Sequence, residues 1–316
     1  MFNVDGWGRG PSRRFLGSFR LIFMAATALV GFGATSPALA ADEALWPERR
    51  GYVDVPMGQM HYRSQGQGPV VLLLHQTPWY SIQWTKVQPR IAAAGYRAVA
   101  PDTPGFGFSP PPKGQPTLEE YADQLVALLD AIGTRDAAVI RHHTGAGIGL
   151  VFAYRHPERV RCLVLNGVPL YTDEERTAKL KNVSSRKTEL KEDGSHLSEH
   201  FRWVRQNIME GRGSLEGVQL STLGAQLAED KERKAYRALF AYPSMQTALR
   251  ELRMPVLLLT DAEDSLKPTT QWAHRIRPDF QYVELQSGGS HIAIDNPDPW
   301  SETVISFLDA QCVRSR

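Results

Sequence analysis

Three stretches of the chain carry side chains suited to moving a proton or attacking a polarised carbon. The first is Arg141-His142-His143-Thr144-Gly145, which follows the apolar, β-branched run Ala138-Val139-Ile140 and leads into small residues. This reads as strand, sharp turn and helix, a geometry that lifts the tip residue above the carboxyl ends of a parallel sheet, where ligands sit. His143 occupies the tip, with Thr144 at the tip as the other register. The second stretch is a loop with Asp261, Glu263 and Asp264, and the third is Gly288-Gly289-Ser290-His291. A histidine in a glycine-rich loop at a sheet edge can be oriented by a carboxylate on a neighbouring loop, which selects its tautomer and stabilises its charged form. Imidazole is also a competent nucleophile and a general acid or base at neutral pH. His143 could therefore form a covalent intermediate or share proton transfer with His291.

The pattern around these stretches supplies the elements that must hold them. Residues 52–55 and 60–64 alternate as two short antiparallel strands, and the continuously apolar run 70–74 reads as a strand covered on both faces. Helical spacing over 82–94 and a second buried strand at 97–100 follow, closing in the Pro- and Gly-rich loop 102–109. Thr117 and Glu120 form a capping box for a helix whose Leu118, Tyr121, Leu125, Leu128, Leu129 and Ile132 share one face before Gly133 stops it. After the strand and turn at His143, a helix over 147–155 leads to a strand at 160–165. Strands alternating with helices in this way predict an α/β fold with a mostly parallel sheet. From about 170 to 252 charges become dense and strand patterns vanish, with helical fragments at 200–209 and 231–241, which reads as a helical insertion over the sheet. Strands at 256–260 and 281–285 and a helix over 299–310 complete the pattern.

The first forty residues read as a targeting segment. Arg9, Arg13, Arg14 and Arg20 precede an apolar run over 21–30 that ends at the small-x-small site Ala38-Leu39-Ala40. The run is shorter than the roughly 20 residues of a spanning helix, so the expectation is a cleaved signal peptide over 1–40, a mature chain from Ala41, and no stable membrane insertion after cleavage. Ser12-Arg13-Arg14-Phe15-Leu16 resembles a twin-arginine signal with tighter spacing, and the expected location is periplasmic or secreted. Four arginines and one aspartate in this segment turn the formal charge of +2 for the whole chain into about −1 beyond it. No basic face for nucleic acid is implied, and the expected partner is a small-molecule substrate. Cys162, in an apolar run, and Cys312, near the end of the last helix, read as one buried and one peripheral thiol, with a disulfide as the alternative in an oxidising compartment.

The order of elements and the strings His75-Gln76-Thr77-Pro78, Asp102-Thr103-Pro104-Gly105-Phe106-Gly107 and His156-Pro157-Glu158-Arg159-Val160 resemble the α/β-hydrolase superfamily. The branch is the one holding esterases, epoxide hydrolases, haloalkane dehalogenases and C-C hydrolases, whose members carry a helical cap. The resemblance covers roughly 51–316 and implies an α/β-hydrolase fold with a cap at about 170–252 and no metal or organic cofactor. Carried over position by position, it makes Asp264 the acid and His291 the base, with Asp261 and Glu263 as other candidates for the acid. The chain departs from the family at the elbow. His143 stands where the family has Ser, Asp or Cys, and Arg141 replaces the usual glycine, needing extra room or supplying a fixed charge. Backbone N–H groups of Gln76 and Thr144 would form the oxyanion hole, although Gln76 replaces a glycine there. Trp79, Tyr80 and Trp84 are candidates for the pocket wall or the core, as are His196, Trp203, Tyr236 and Tyr242 in the cap.

The resulting expectation is an exported hydrolase of an ester or related bond in a small organic substrate, with His143, Asp264 and His291 as catalytic residues. A non-hydrolytic lyase or acid/base enzyme on the same scaffold and a non-catalytic ligand-binding protein are the alternatives.

Overall fold

A computed structural model describes residues 47–183, 189–209, 211, 213–229, 233–286 and 289–312. The segment expected to be a signal peptide lies outside the described residues, as does Gly288 of the third stretch.

Eight strands form one sheet in the order β1-β2-β4-β3-β5-β6-β7-β8. β1 (Arg49–Val55) and β2 (Gly58–Gln65) pair antiparallel across a two-residue turn, and β2 pairs antiparallel with β4 (Arg97–Pro101). From β4 onward the sheet is parallel, through β3 (Val70–Leu74), β5 (Ala137–His142), β6 (Val160–Asn166), β7 (Val256–Asp261) and β8 (Gln281–Leu285). The expected α/β-hydrolase architecture of a mostly parallel sheet flanked by helices is what forms.

The period-two alternation of each buried strand sorts its side chains into two cores, one per face. Leu72, Leu74, Val139, Leu163, Leu165 and Leu258 pack against α2 (Leu118–Ala131), α3 (Thr144–Arg155) and α8 (Met245–Glu251). Val71, Leu73, Ala138, Ile140, Val164, Leu257 and Leu259 pack against α1 (Gln88–Ala93) and α11 (Pro297–Gln311). The capping box at Thr117 and Glu120 is formed in both directions. The helical spacing expected over 82–94 resolves into a 3-10 turn, Ser81–Trp84, followed by α1, because Pro89 has no N–H to continue a helix and sits in its first turn instead.

Between β6 and β7 the chain runs through α4 (Asp173–Asn182), α5 (Ser195–Asn207), α6 (Leu215–Leu227), α7 (Lys234–Ala241) and α8, so the expected helical cap is present. α6 carries no sequence signature of its own, since Gly217 and Gly224 weaken its helix pattern. α9 (Lys267–Ile276) and the single turn α10 (Ile292–Asp295) bracket β8. Among the described residues no helix is long and apolar enough to cross a membrane.

The reading of two separate thiols is corrected. Cys162 on β6 and Cys312 after α11 are joined in a disulfide, both buried in the core between the sheet and α11. Packing of α11 on the sheet brings together cysteines 150 residues apart, a proximity that local pattern cannot signal. A loop of that length gives a chain-entropy stabilisation of up to about 5 kcal/mol, and measured values are usually smaller. We therefore expect Cys312→Ser to lower unfolding stability by about 2 to 4 kcal/mol in denaturant titration, with the slope m raised by the more expanded unfolded chain.

Candidate active site

β5 delivers His143 at its carboxyl end. The backbone turns there with φ 45° and ψ −110°, a conformation costing a non-glycine residue on the order of 1–3 kcal/mol. It is held by hydrogen bonds on both sides, from His143 N–H to Asn166 O (2.9 Å) and from Ala146 N–H to His143 O (2.7 Å). Gly145 lets α3 approach β3, because a Cβ there would lie 2.6 Å from His75 O and 2.8 Å from Leu74 O.

Arg141 is fully buried under α3. Gly149 provides its room, since a Cβ on Gly149 would collide with Arg141 Cδ. Its Nη1 donates to Ala146 O, tying the strand to the helix across the elbow, while Nε and Nη2 have no hydrogen-bond partner among the described residues. Burial holds the guanidinium pKa well below its ordinary value.

The side chain of His143 reaches across β6 to the loop after β7. Its Nε2–H donates to Asp264 Oδ1 at 2.9 Å, passing over Gly167, where a Cβ would sit 2.8 Å from Nε2 and 3.0 Å from Asp264 Oδ2. Asp264 is buried and also accepts from Leu266 N–H (2.8 Å) and Thr260 Oγ1–H (3.4 Å). Burial pushes its pKa up. The positive charge and hydrogen bond of His143, with help from His142 and the Leu266 N–H, outweigh that and bring it down to about 2. Asp264 is thus a carboxylate at any ordinary pH, able only to accept, which places the proton on His143 Nε2 and the lone pair on Nδ1. Nδ1 makes no hydrogen bond among the described residues, and the His143 side chain keeps 13% exposure.

The expected Asp264–His291 pairing is therefore corrected, because His143 takes the carboxylate. His291 lies 2% exposed at the start of α10, packed against the ring of Trp79 at 4.7 Å between centroids, and neither ring nitrogen has a hydrogen-bond partner among the described residues. Burial, then the charge of His143, holds its pKa down at about 3. Asp261 is the second carboxylate of the loop. Its Oδ1 accepts from Glu263 N–H and from Gly289 N–H, anchoring the His291 loop, and burial raises its pKa.

The oxyanion expectation is corrected at one position. The Gln76 N–H is engaged by Gln83 Oε1 at 2.9 Å, and Gln83 Nε2–H donates to His142 Nδ1 at 2.9 Å. Gln83, on the 3-10 turn, was not singled out in the sequence, since only the folded chain brings it under the elbow. Thr144 Oγ1 accepts from Thr77 N–H at 3.4 Å, and the Thr144 N–H at the start of α3 has no acceptor among the described residues. His142 is a buried packing residue whose ring lies 4.2 Å from that of His143. Trp84 belongs to the core against Trp300, Tyr80 is buried beside Phe108, and Tyr242, at the end of α7, is buried in the core. Tyr236 reaches down from α7, its hydroxyl donating to Thr77 O at 3.2 Å. His196 and Trp203 lie on α5, His196 accepting from Lys191 N–H and Trp203 stacking on His200.

Besides Tyr236, two cap glycines meet the site. A Cβ on Gly217 would come 2.7 Å from His291 Nδ1, and one on Gly224 would come 3.0 Å from Pro78 O and 3.3 Å from Trp79 Cα. α6 is latched there by Asp295, whose carboxylate accepts from the Ser214 hydroxyl and N–H, and by Lys86, which bonds Glu216 Oε2 and Ile294 O. Among the described residues no group of three or more His, Cys, Asp or Glu is placed to hold a metal ion.

A strand-elbow-helix at the carboxyl edge of a parallel sheet thus carries a carboxylate-paired imidazole at its tip. The family profile that matches is the alpha/beta hydrolase fold, over residues 69–296, and the chain belongs to that family. It is 39% identical over 109 residues to epoxide hydrolase 2 of Siraitia grosvenorii, a match covering 33% of this chain and 34% of that protein. The chain thus matches about a third of the length of this curated relative. Among solved structures, an epoxide hydrolase from Vigna radiata superposes with a TM-score of 0.69 at 20% identity, covering 83% of this chain and 98% of that one. A thermophilic esterase from Thermogutta terrifontis superposes with a TM-score of 0.68 at 20% identity, covering 84% and 100%.

The electrostatics of this site predict its acid limb. An unfolded His291 takes a proton near pH 6.5 and the folded one only near 3, so stability is full above pH 6.5 and falls as pH drops from 6.5 toward 3. Asp264 adds its own loss between about 3.8 and 2. Each such group contributes about 1.4 kcal/mol per pH unit inside its window. Urea titrations from pH 7 to pH 4 should show this slope, and His291→Gln should reduce it by about one proton.

Proposed function

We propose that the protein is an exported hydrolase that cleaves an ester or related acyl bond in a small organic molecule, with the Asp264–His143 pair as its base. The observation that carries this reading is the 2.9 Å hydrogen bond from His143 Nε2 to Asp264 Oδ1, which leaves Nδ1 as a basic lone pair at the elbow tip. The carboxylate fixes the tautomer and stabilises the imidazolium formed when Nδ1 takes a proton from an attacking water. The hydroxyl, thiol or carboxylate of an ordinary elbow is missing, so water is the nucleophile and no covalent intermediate accumulates.

The names of the curated relatives favour a second substrate, an epoxide. The chemistry of the elbow weighs the two differently. If Nδ1 itself attacked, an acyl group on imidazole would be opened readily by water, whereas ring-opening of an epoxide would leave an alkylated imidazole that water does not release. Export is supported by the arginine-rich apolar segment ending at Ala38-Leu39-Ala40 and by the Cys162–Cys312 disulfide, a bond that persists in oxidising compartments. Intact-mass analysis of protein recovered from the native host should give a chain beginning at Ala41.

Turnover of short-chain aryl esters and of styrene oxide, measured side by side, tests the substrate reading. We expect His143→Ala and Asp264→Asn each to lower kcat/KM by about 10²–10⁴, with the double variant little worse than either single one, because the carboxylate acts only through the imidazole. Mass spectrometry of rapidly quenched enzyme should find no acyl adduct. An adduct on His143 that hydroxylamine intercepts would make it the nucleophile, and unchanged rates in His143→Ala would remove the dyad from the reaction.

A further inference from the structure

We infer that His291 is the hydrogen-bond donor to the substrate oxygen, in place of the Gln76 N–H, and that the substrate it selects is an uncharged carbonyl compound. The inference rests on the hydrolase reading and changes the task of a residue that the family resemblance assigns as the base.

Four observations converge on it. His143 has taken Asp264, so His291 lacks the carboxylate that would make it a strong base. Both of its ring nitrogens are buried without a partner among the described residues, a state that costs on the order of 1–3 kcal/mol per polar group and is relieved when a ligand supplies the missing bond. The Nδ1 edge is shut by the backbone of α6 at Gly217, which leaves Nε2 as the edge able to meet a ligand. Finally, the Gln76 N–H donates to Gln83 and is withdrawn from any ligand, so the site lacks one of its two backbone donors while the Thr144 N–H remains.

A buried neutral imidazole is a donor too weakly acidic to give its proton away, which suits stabilising an oxyanion without protonating it. The depressed pKa of about 3 keeps it in that form at working pH. The surroundings also select against charge, because the buried Asp264 carboxylate repels an anion across the low-dielectric interior, and the apolar Trp79 ring packs tilted against His291.

The step balances as follows. His143 Nδ1 takes a proton from water as the water oxygen bonds to the carbonyl carbon, and the carbonyl π electrons move onto the oxygen held by His291 Nε2–H and Thr144 N–H. The tetrahedral species then collapses, the C–O bond to the leaving group breaks, and the proton on Nδ1 passes to the departing oxygen.

The test compares His291→Gln, which keeps a side-chain N–H donor, with His291→Phe, which keeps the ring shape alone, in the full-length protein with p-nitrophenyl acetate. Melting curves establish that both fold. We expect His291→Gln to stay within about tenfold of wild-type kcat, and His291→Phe to lose about 10²–10³ in kcat with KM little changed. Equal, near-complete loss in both variants would return His291 to the role of base, and wild-type rates in both would make it a passenger; either result overturns the inference. A second arm needs no turnover. The carbonyl stretch of p-nitroacetophenone, read by difference infrared spectroscopy at millimolar ketone, should shift down in the wild type and in His143→Ala but not in His291→Phe. If no ester is hydrolysed yet the His291-dependent shift is present, the hydrolase reading falls and the donor stands. If esters are hydrolysed and the shift is absent, the donor falls alone.

Discussion

The hydrogen bond from His143 Nε2 to Asp264 Oδ1 links the carboxyl ends of β5 and β7 across β6, and the rest of the site is arranged to permit it. The elbow must hold His143 at φ 45°, which Asn166 O secures from β6. The chain leaving β6 must pass beneath the ring without a side chain, and Gly167 at φ +71° does so. Asp264 must stay ionised though buried, and its bonds from His143 and the Leu266 N–H offset the cost of burial. A carboxylate that had lost the imidazole would be a buried charge with little compensation, so each partner keeps the other in its working state.

Once the elbow imidazole holds the acid, the remaining histidine has different physics. Burial, with the nearby His143 adding to it, keeps His291 neutral, while the elbow imidazole alone has a carboxylate partner. Two histidines of identical chemistry are thereby separated into a carboxylate-paired imidazole at the elbow and a neutral ring under the cap whose nitrogens have no partner among the described residues. Asp261, which accepts the Gly289 N–H, ties down the loop two residues before the second ring.

Much of this was legible in sequence because it follows local rules. Strand period, the Thr117–Glu120 box and the glycines after His143 are decided within a few residues, so the order of elements and a strand-turn-helix with His143 or Thr144 at its tip could be read directly. Asp264 came from the family resemblance, with Asp261 and Glu263 beside it as other candidates. The partner of Asp264 could not be read, because two histidines compete for it and the outcome depends on which ring reaches across β6. Gln83 also escaped notice, since its importance lies in bridging Gln76 N–H and His142 Nδ1, residues 7 and 59 positions away. The disulfide joins residues separated by 150 positions and reflects how α11 lies on the sheet.

The cap helix α6 was hidden for a physical reason as well. Glycine in a helix interior costs roughly 1 kcal/mol against alanine, and α6 carries two such residues, which erases its sequence signal. Both occur where the helix backbone itself meets the site, Gly217 on His291 and Gly224 on Pro78 and Trp79. Any side chain there would lift the helix from the histidine or displace the ring. The lost propensity is offset by anchors on the same end of the helix, Asp295 on Ser214 and Lys86 on Glu216, of which Asp295 lies four residues after His291. Helix position, histidine position and anchor are therefore one mechanical unit, in which the weakest helix former is the residue that brings the cap backbone within reach of the chemistry.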